Sequence, residues 1–380
     1  MSKQSFPKVS IARRTLIYDW RRYAAAVAAL GLSGLLMLAQ IGLLFGQFAT
    51  FTVTLRQSNA DLIVTSGDSL SFDASVDIPE RYVGRFWVDP AVQGVDRQGQ
   101  FGGDWRKGSR RVPVLGIPLS LDPASPVRMQ SIPQNLMAAL SEPGAVLIDE
   151  ADARKLGINR IGDTAEINRQ RVRVVGFISG FRSSWGAFVF ASQATARLLG
   201  DDDRSNPLYL IQVKDPREAE ATRDRLNANA LGAPYRVWEK HDLIKSSEMV
   251  WLIDSGAGAS FGFSAFVAFL VGIGVTSQTL RGAVLAQLKE LASLRALGVP
   301  ASKLRAIVVE QAIWVGLVGI AVMLVGAGLV QILAGVFKVA IAYPWPASVT
   351  CCLFLLIVAL LSGVHAVRAL YRSNPTELLL

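Results

Sequence analysis

Four stretches of the chain carry no Asp, Glu, Lys or Arg: Tyr23 to Leu55, Ser255 to Leu280, Gln311 to Phe337, and Val339 to Val367. Each exceeds the ~20 apolar residues that carry a helix across a hydrocarbon layer about 30 Å thick. A bilayer offers no partners to free backbone N–H and C=O groups, so such segments cross it as helices. The pattern predicts spans over 23–48, 255–280, 306–335 and 347–370, with a short loop at 336–346. In the first span Gly31, Ser33, Gly34, Ala39 and Gly42 provide small positions where a neighbouring helix can approach closely.

Residues 49–254 follow a different pattern, in which short apolar runs alternate with turn residues. Asp61–Thr65, Arg111–Ile117, Ala145–Ile148, Ala187–Phe190, Leu208–Val213 and Tyr235–Trp238 read as strands. Gly162–Ile167 and Arg171–Ile178 read as a hairpin around Asn168–Gln170. Helices are expected at Pro79–Arg85, at Glu150–Leu156 with Gly157 as its stop, at Gln193–Leu199, and at Pro216–Ala230 with Gly232 beyond its end. Most of 66–140 gives little signal, and no internal repeat is visible. Thr50, Thr52 and Thr54 prolong the first charge-free stretch, and Trp238–Asp254 leads into the second. Both read as helical stalks, with Trp251 as an interfacial anchor. The fold class is therefore a four-helix membrane protein with a large α+β domain inserted between helices 1 and 2.

Charge gives this architecture a direction. The net charge of +9 would suggest nucleic acid in a soluble chain, but its distribution argues against that partner. Residues 49–250 hold 25 bases and 25 acids. The excess lies elsewhere. In 1–22, Lys3, Lys8, Arg13, Arg14, Arg21 and Arg22 face only Asp19; in 281–305, Arg281, Lys289, Arg295, Lys303 and Arg305 face only Glu290. Basic short loops stay in the cytoplasm. Both ends (1–22 and 371–380) and the 281–305 loop are expected inside, and the inserted domain outside. The first apolar run is longer than the ~7–15 residues of a cleaved signal core and reads as a retained anchor. Cys351 and Cys352 are neighbours in the fourth span, where their side chains diverge, so no disulfide framework is expected.

Little in the sequence carries catalytic chemistry. The sequence has no phosphate-binding loop and no Cys/His cluster at metal spacing. His241 beside Asp242 reads as a surface pair, and Asp201–Asp203 as a solvated turn. No nucleophile–base–orienter set is apparent, so an enzyme is not expected. Asp254 and Glu310 fall at span ends, and no charge lies at midspan, against what an ion-coupled transporter requires.

The 281–305 loop is more informative. Val284–Leu297 is rich in strong helix formers and ends at Gly298. Leu288, Leu291, Ala292, Leu294 and Leu297 form an apolar side, while Lys289, Glu290 and Arg295 are placed to be polar. The residues alone leave two readings open: a helix lying on the inner leaflet, or a docking helix for a cytoplasmic protein.

Lys289-Glu290-x-Ala292-x-Leu294-Arg295-Ala296-Leu297-Gly298 resembles the coupling-helix segment of the FtsX/MacB-type ABC permeases. Glu310 stands where many members carry Glu, just inside the third span. Ser373-Asn374-Pro375-Thr376-Glu377-Leu378 is similar to the family's ending. Gly144–Gly157, then Ile161-Gly162-Asp163 and Val172–Gly176, resembles the order of elements in its outer domain. Chain length, the detached ATPase and the basic 13–22 segment look most like the DevC branch.

The resemblance implies an inner-membrane permease subunit with its large domain in the periplasm, seated through 288–298 on a cytoplasmic ABC ATPase that carries ATP and Mg. No cofactor is expected on this chain itself. It further implies a second permease copy, a periplasmic adaptor, a TolC-like outer-membrane channel, and lipid, glycolipid or other amphiphilic cargo moved by mechanotransmission. Two alternatives stay open at this point: a non-exporting regulator of a cell-wall hydrolase, and a membrane-anchored sensor or scaffold without an ATPase.

Overall fold

The computed structural model describes residues 18, 20–182, 186–200, 208–230, 232–286, 293, 299–337 and 339–372. The chain divides into two compact units, one of 1–46 with 258–380 and one of 47–257.

The membrane unit holds four long apolar helices: α1 (Trp20–Phe51), α9 (Ala257–Ala286), α10 (Ala301–Val336) and α11 (Trp345–Arg372). Within them Tyr23–Phe51, Gly258–Thr279, Ala306–Val336 and Trp345–Val364 are long and apolar enough to cross a membrane. Pro300 starts α10: its extended backbone cannot continue a helix backwards, and Lys303 donates its N–H to the Pro300 carbonyl at 2.9 Å. α1, α10 and α11 pack closely through small residues. A methyl group on Gly31 would stand 2.7 Å from Val322, and one on Gly319 2.8 Å from Leu30. Leu30, Met323 and Ala359 are fully buried at this contact. Without a hydrophobic drive between helices in lipid, this close fit is what holds the three together.

The second span is different. Only 6% of its most apolar window is buried, against 28–33% for the other three. It touches the rest of the unit through Phe269 against Phe354, with ring centres 4.3 Å apart, and through a 2.9 Å hydrogen bond between the Ser277 and Ser362 hydroxyls.

The outer unit opens with α2 (Val53–Gln57), which follows α1 with only Thr52 between them. The Thr52 N–H still donates to Phe48 O at 3.1 Å, so the helical path barely breaks. A four-stranded antiparallel sheet has the order β10-β1-β9-β2, formed by β1 (Leu62–Ser66), β2 (Val92–Gln98), β9 (Leu208–Val213) and β10 (Tyr235–Glu239). Beside it, β3 (Phe101–Lys107), β4 (Arg110–Leu119), β5 (Ala145–Asp149), β6 (Thr164–Ile167), β7 (Gln170–Ile178) and β8 (Ala187–Ser192) close into a barrel. The β4–β8 and β5–β7 pairs are parallel and the others antiparallel.

Short helices cover the strands: α3 (Val83–Phe86), α4 (Gln134–Ala139), α5 (Ala153–Leu156), α6 (Gln193–Leu199) and α7 (Ala219–Ala228). The stalk helix α8 (Lys240–Asp254) leads out of the unit. Every residue of β1 is buried, because the sheet is covered on both faces. Leu62 and Val64 pack with Phe86 and Leu226 on one side, whereas Ile63 packs with Leu243 and Ile244 of α8 on the other. A strand enclosed on both faces reads as a continuous apolar run, which is how Leu62–Thr65 stood out in the sequence. Trp105, Val146, Ile167 and Val189 fill the barrel, and the Trp105 indole N–H donates to Leu156 O at 3.0 Å.

Several local expectations need correction. Trp238 belongs to β10, so the second stalk begins at Lys240, two residues later than expected. The helix expected over Glu150–Leu156 is only Ala153–Leu156, because the Asp149 carboxylate takes the Ala151 N–H at 2.8 Å and holds a turn there. The hairpin turn is two residues, Asn168 and Arg169, both at positive φ, with Ile167 paired to Gln170. That is the geometry matching the right-handed twist of its strands. Strands β2 and β3 were not expected at all.

Candidate functional site: the inner loop and the stalk

The segment expected to dock a partner lies almost wholly outside the described residues: Leu288, Lys289, Glu290, Leu291, Ala292, Leu294, Arg295, Ala296, Leu297 and Gly298. The structure fixes what brackets it. α9 runs to Ala286, Ser293 is helical and exposed, and α10 begins at Ala301. Asp201–Asp203 and the Ser373–Leu378 ending also fall outside the described residues. Glu310 is half-buried on α10, four residues inside the apolar span that starts at Ala306, with buried Gln311 and Ala312 beside it.

At the other end of the spans, the two stalks are tied together within the outer unit. Arg56 on α2 pairs with Glu248 on α8 at 2.5 Å. Arg56 Nε donates to Thr52 Oγ1 at 2.8 Å, and Thr52 Oγ1 donates to Phe48 O at 2.9 Å, with Glu248 Oε1 3.4 Å from the same hydroxyl. The Phe48 and Trp251 rings meet edge to face at 5.6 Å, and Phe51 lies between Phe72 at 4.8 Å and Trp251 at 6.1 Å. Above this pair Lys240 Nζ donates to Ser58 O at 3.2 Å. Burial pushes the Lys240 ammonium below its usual range, and Asp61 partly offsets that. Trp251, expected as a membrane anchor, thus packs against the first stalk. Sequence reasoning missed Arg56 and Glu248; the available signal was Arg56, the first charge after the first apolar stretch, against several acids on the segment read as the second stalk.

Asp163 and Asp89 hold parts of the outer unit together. Asp163 of the Gly162-Asp163 pair accepts the Lys107 ammonium at 2.7 Å and the Asn159 N–H at 3.0 Å. These partners, with the backbone bond first, hold its carboxyl down at about 2. Asp89 is gripped by both arms of Arg225, at 2.6 and 3.0 Å, and lies below the usual carboxylate range, the Arg225 hydrogen bonds being the main cause. His241 is exposed, and its neighbour Asp242 lies 3.9 Å from Arg223. Among the described residues no group of three or more His, Cys, Asp or Glu is gathered as a metal site.

Four helices fit to span a membrane and a sheet-and-barrel domain inserted after the first define a multi-span membrane protein with an extramembrane core. Comparison with known proteins gives the family. The FtsX-like permease C-terminal model matches residues 262–375, and the MacB-like periplasmic core domain model matches residues 24–229. The chain belongs to the FtsX/MacB-type ABC transporter permeases. An uncharacterized ABC transporter permease of Mycobacterium tuberculosis is 23% identical over 374 residues, covering 96% of this chain and 97% of its own length. Another, from Methanocaldococcus jannaschii, is 24% identical over 232 residues, 58% of this chain and 57% of its own. Among solved structures, the periplasmic region of MacB from Actinobacillus actinomycetemcomitans covers 51% of this chain and 95% of its own at 13% identity, with a TM-score of 0.35. The extracellular domain of YknZ, a noncanonic ABC-type transporter from Gram-positive bacteria, covers 47% of this chain and 99% of its own at 16% identity, with a TM-score of 0.31.

Proposed function

We propose that this chain is the mechanical subunit of an ABC exporter, in the manner of the DevC branch. A cytoplasmic ATPase, carrying ATP and Mg, docks on residues 288–298. Its closure pushes this segment, and spans one and two act as levers that pass the movement to the stalks and the outer domain. Two permease copies work together, both chain ends face the cytoplasm, and the outer domain engages a periplasmic adaptor leading to a TolC-like channel. The cargo is an amphiphile taken from the outer face of the membrane, so the spans need no polar conduit.

The observation that carries this reading is the stalk clasp of Arg56, Glu248, Phe48 and Trp251. It joins the chain leaving span one to the chain entering span two, which lets two helices act as one lever. Spans without a midspan charge fit a lever better than an ion-coupled carrier.

Replacing Glu290, Leu294 and Arg295 together by Ala is expected to abolish copurification with the ATPase and export while leaving the permease inserted in the membrane. Wild-type ATPase binding with export intact would remove the docking role. Copurification of the unaltered chain with an ATPase also separates this reading from a membrane scaffold that works without one.

A further inference from the structure

Several acids of the outer unit are held in ion pairs, among them Asp89, Asp104, Asp163 and Glu248. Two of the acids that have no ion-pair partner among the described residues line one cleft. It has a volume of about 770 Å3 and lies between the turn after β1, the Gly232–Pro234 turn before β10, and the C-terminal half of α8. Volumes of this order suit small-molecule ligands. Asp68 comes from the first wall and Asp254 from the last. Both are exposed, neither has an ion-pair partner among the described residues, and the lining contains no Lys, Arg or His.

The serines of the first wall are already committed to building it. Ser66 Oγ accepts the Val76 N–H at 3.2 Å, Ser69 Oγ donates to Ser71 O at 2.5 Å, and Ser71 Oγ donates to Asp73. What the cleft presents outward is therefore two carboxylates and apolar surface. Leu70 and Val76 on the wall are 55% and 61% exposed, and Met249 and Ile253, on the helix stripe beside Val250 and Asp254, are 56% and 67% exposed. Single exposed apolar residues are ordinary, but Leu70 and Val76 in the lining of a cleft that also holds two acids make its surface amphipathic. Only three residues lie between Asp254 and Gly258, where the apolar span begins, a chain reach of at most ~14 Å.

We propose that this cleft binds a single-chain amphiphile with a cationic head, the ammonium lying between Asp68 and Asp254 and the tail on the apolar rim. This rests on the reading of the chain as an amphiphile exporter, and narrows its cargo by charge. A sulfate or phosphate head would meet two carboxylates and no base, so the cleft discriminates against anions as well as for cations.

The test is equilibrium binding of a fluorescent dodecyltrimethylammonium to the full chain in phosphatidylcholine nanodiscs at low salt, with the matched dodecyl sulfonate as control. Binding does not involve the ATPase, so loss of export with intact binding would count against the exporter reading alone. Asp68→Asn and Asp254→Asn are each expected to weaken the cationic probe about 3-fold, and the double variant on the order of 10-fold, in line with exposed charge pairs. Val76→Lys, at a position 61% exposed, should weaken it at least as much as the double variant without lowering the yield of folded protein. The sulfonate should bind no more tightly than to empty nanodiscs. Equal binding of both probes, or cationic binding untouched by the double and Val76→Lys variants, would overturn the proposal.

Discussion

Asp163 shows at the scale of one residue how a motif legible in the sequence carries structure. Gly162 takes a φ of +93°, a conformation a side chain rarely adopts, and the following carboxylate gathers the Asn159 N–H and the Lys107 ammonium. Its pKa falls from 3.8 to about 2 in the folded chain. A depressed carboxylate contributes stability above its unfolded pKa and loses it as pH falls through the folded value. The barrel is therefore expected to lose part of its thermal stability between about pH 4 and pH 2. Asp163→Asn should melt lower at pH 7 and show a smaller acid-side decrease, measured on the full chain by circular dichroism. An unchanged acid-side slope would mean that Asp163 does not link the barrel to pH.

Among elements, the stalk depends on pairing. Arg56 is about half exposed and Glu248 is mostly covered (side-chain exposures of 48% and 18%), so the pair sits at the upper end of what surface ion pairs contribute. A double-mutant cycle with Arg56→Ala and Glu248→Ala should give a coupling of about 0.5–1 kcal/mol in thermal unfolding of the outer unit. Strict additivity would show that the stalks stand side by side without bearing on one another.

The elements also explain what could be read from the sequence. The spans were legible because a bilayer leaves no freedom to place charges within them. Strands β1, β5, β8 and β9 were legible because both their faces are buried, or nearly so, and their residues are correspondingly apolar. β2 and β3 escaped notice because an edge strand and a half-exposed barrel strand admit Gly94, Asp96, Gly102 and Asp104, which break any alternation. The clasp and the acidic cleft were illegible for another reason: Arg56 and Glu248, and Asp68 and Asp254, are each nearly two hundred positions apart. The 288–298 segment is the reverse case, carried wholly by its sequence pattern.

At the scale of the whole molecule, a lever needs a sidedness and a movement. A reporter enzyme fused near Asp202 should report the periplasm; activity there of a reporter that works only in the cytoplasm would invert the topology and remove the lever scheme with it. Movement is the central claim, and a distance between two copies tests it most directly. Met249 is exposed on α8, so Met249→Cys in a background with Cys351 and Cys352 replaced by Ala gives one spin label on each stalk. Pulsed electron paramagnetic resonance on the permease–ATPase assembly would compare the label–label distance without nucleotide and with ATP held before hydrolysis. The main distance is expected to shift by several ångströms, and not to shift when Glu290, Leu294 and Arg295 are all Ala. The same distance distribution in both states, with ATP demonstrably bound, would contradict the lever scheme.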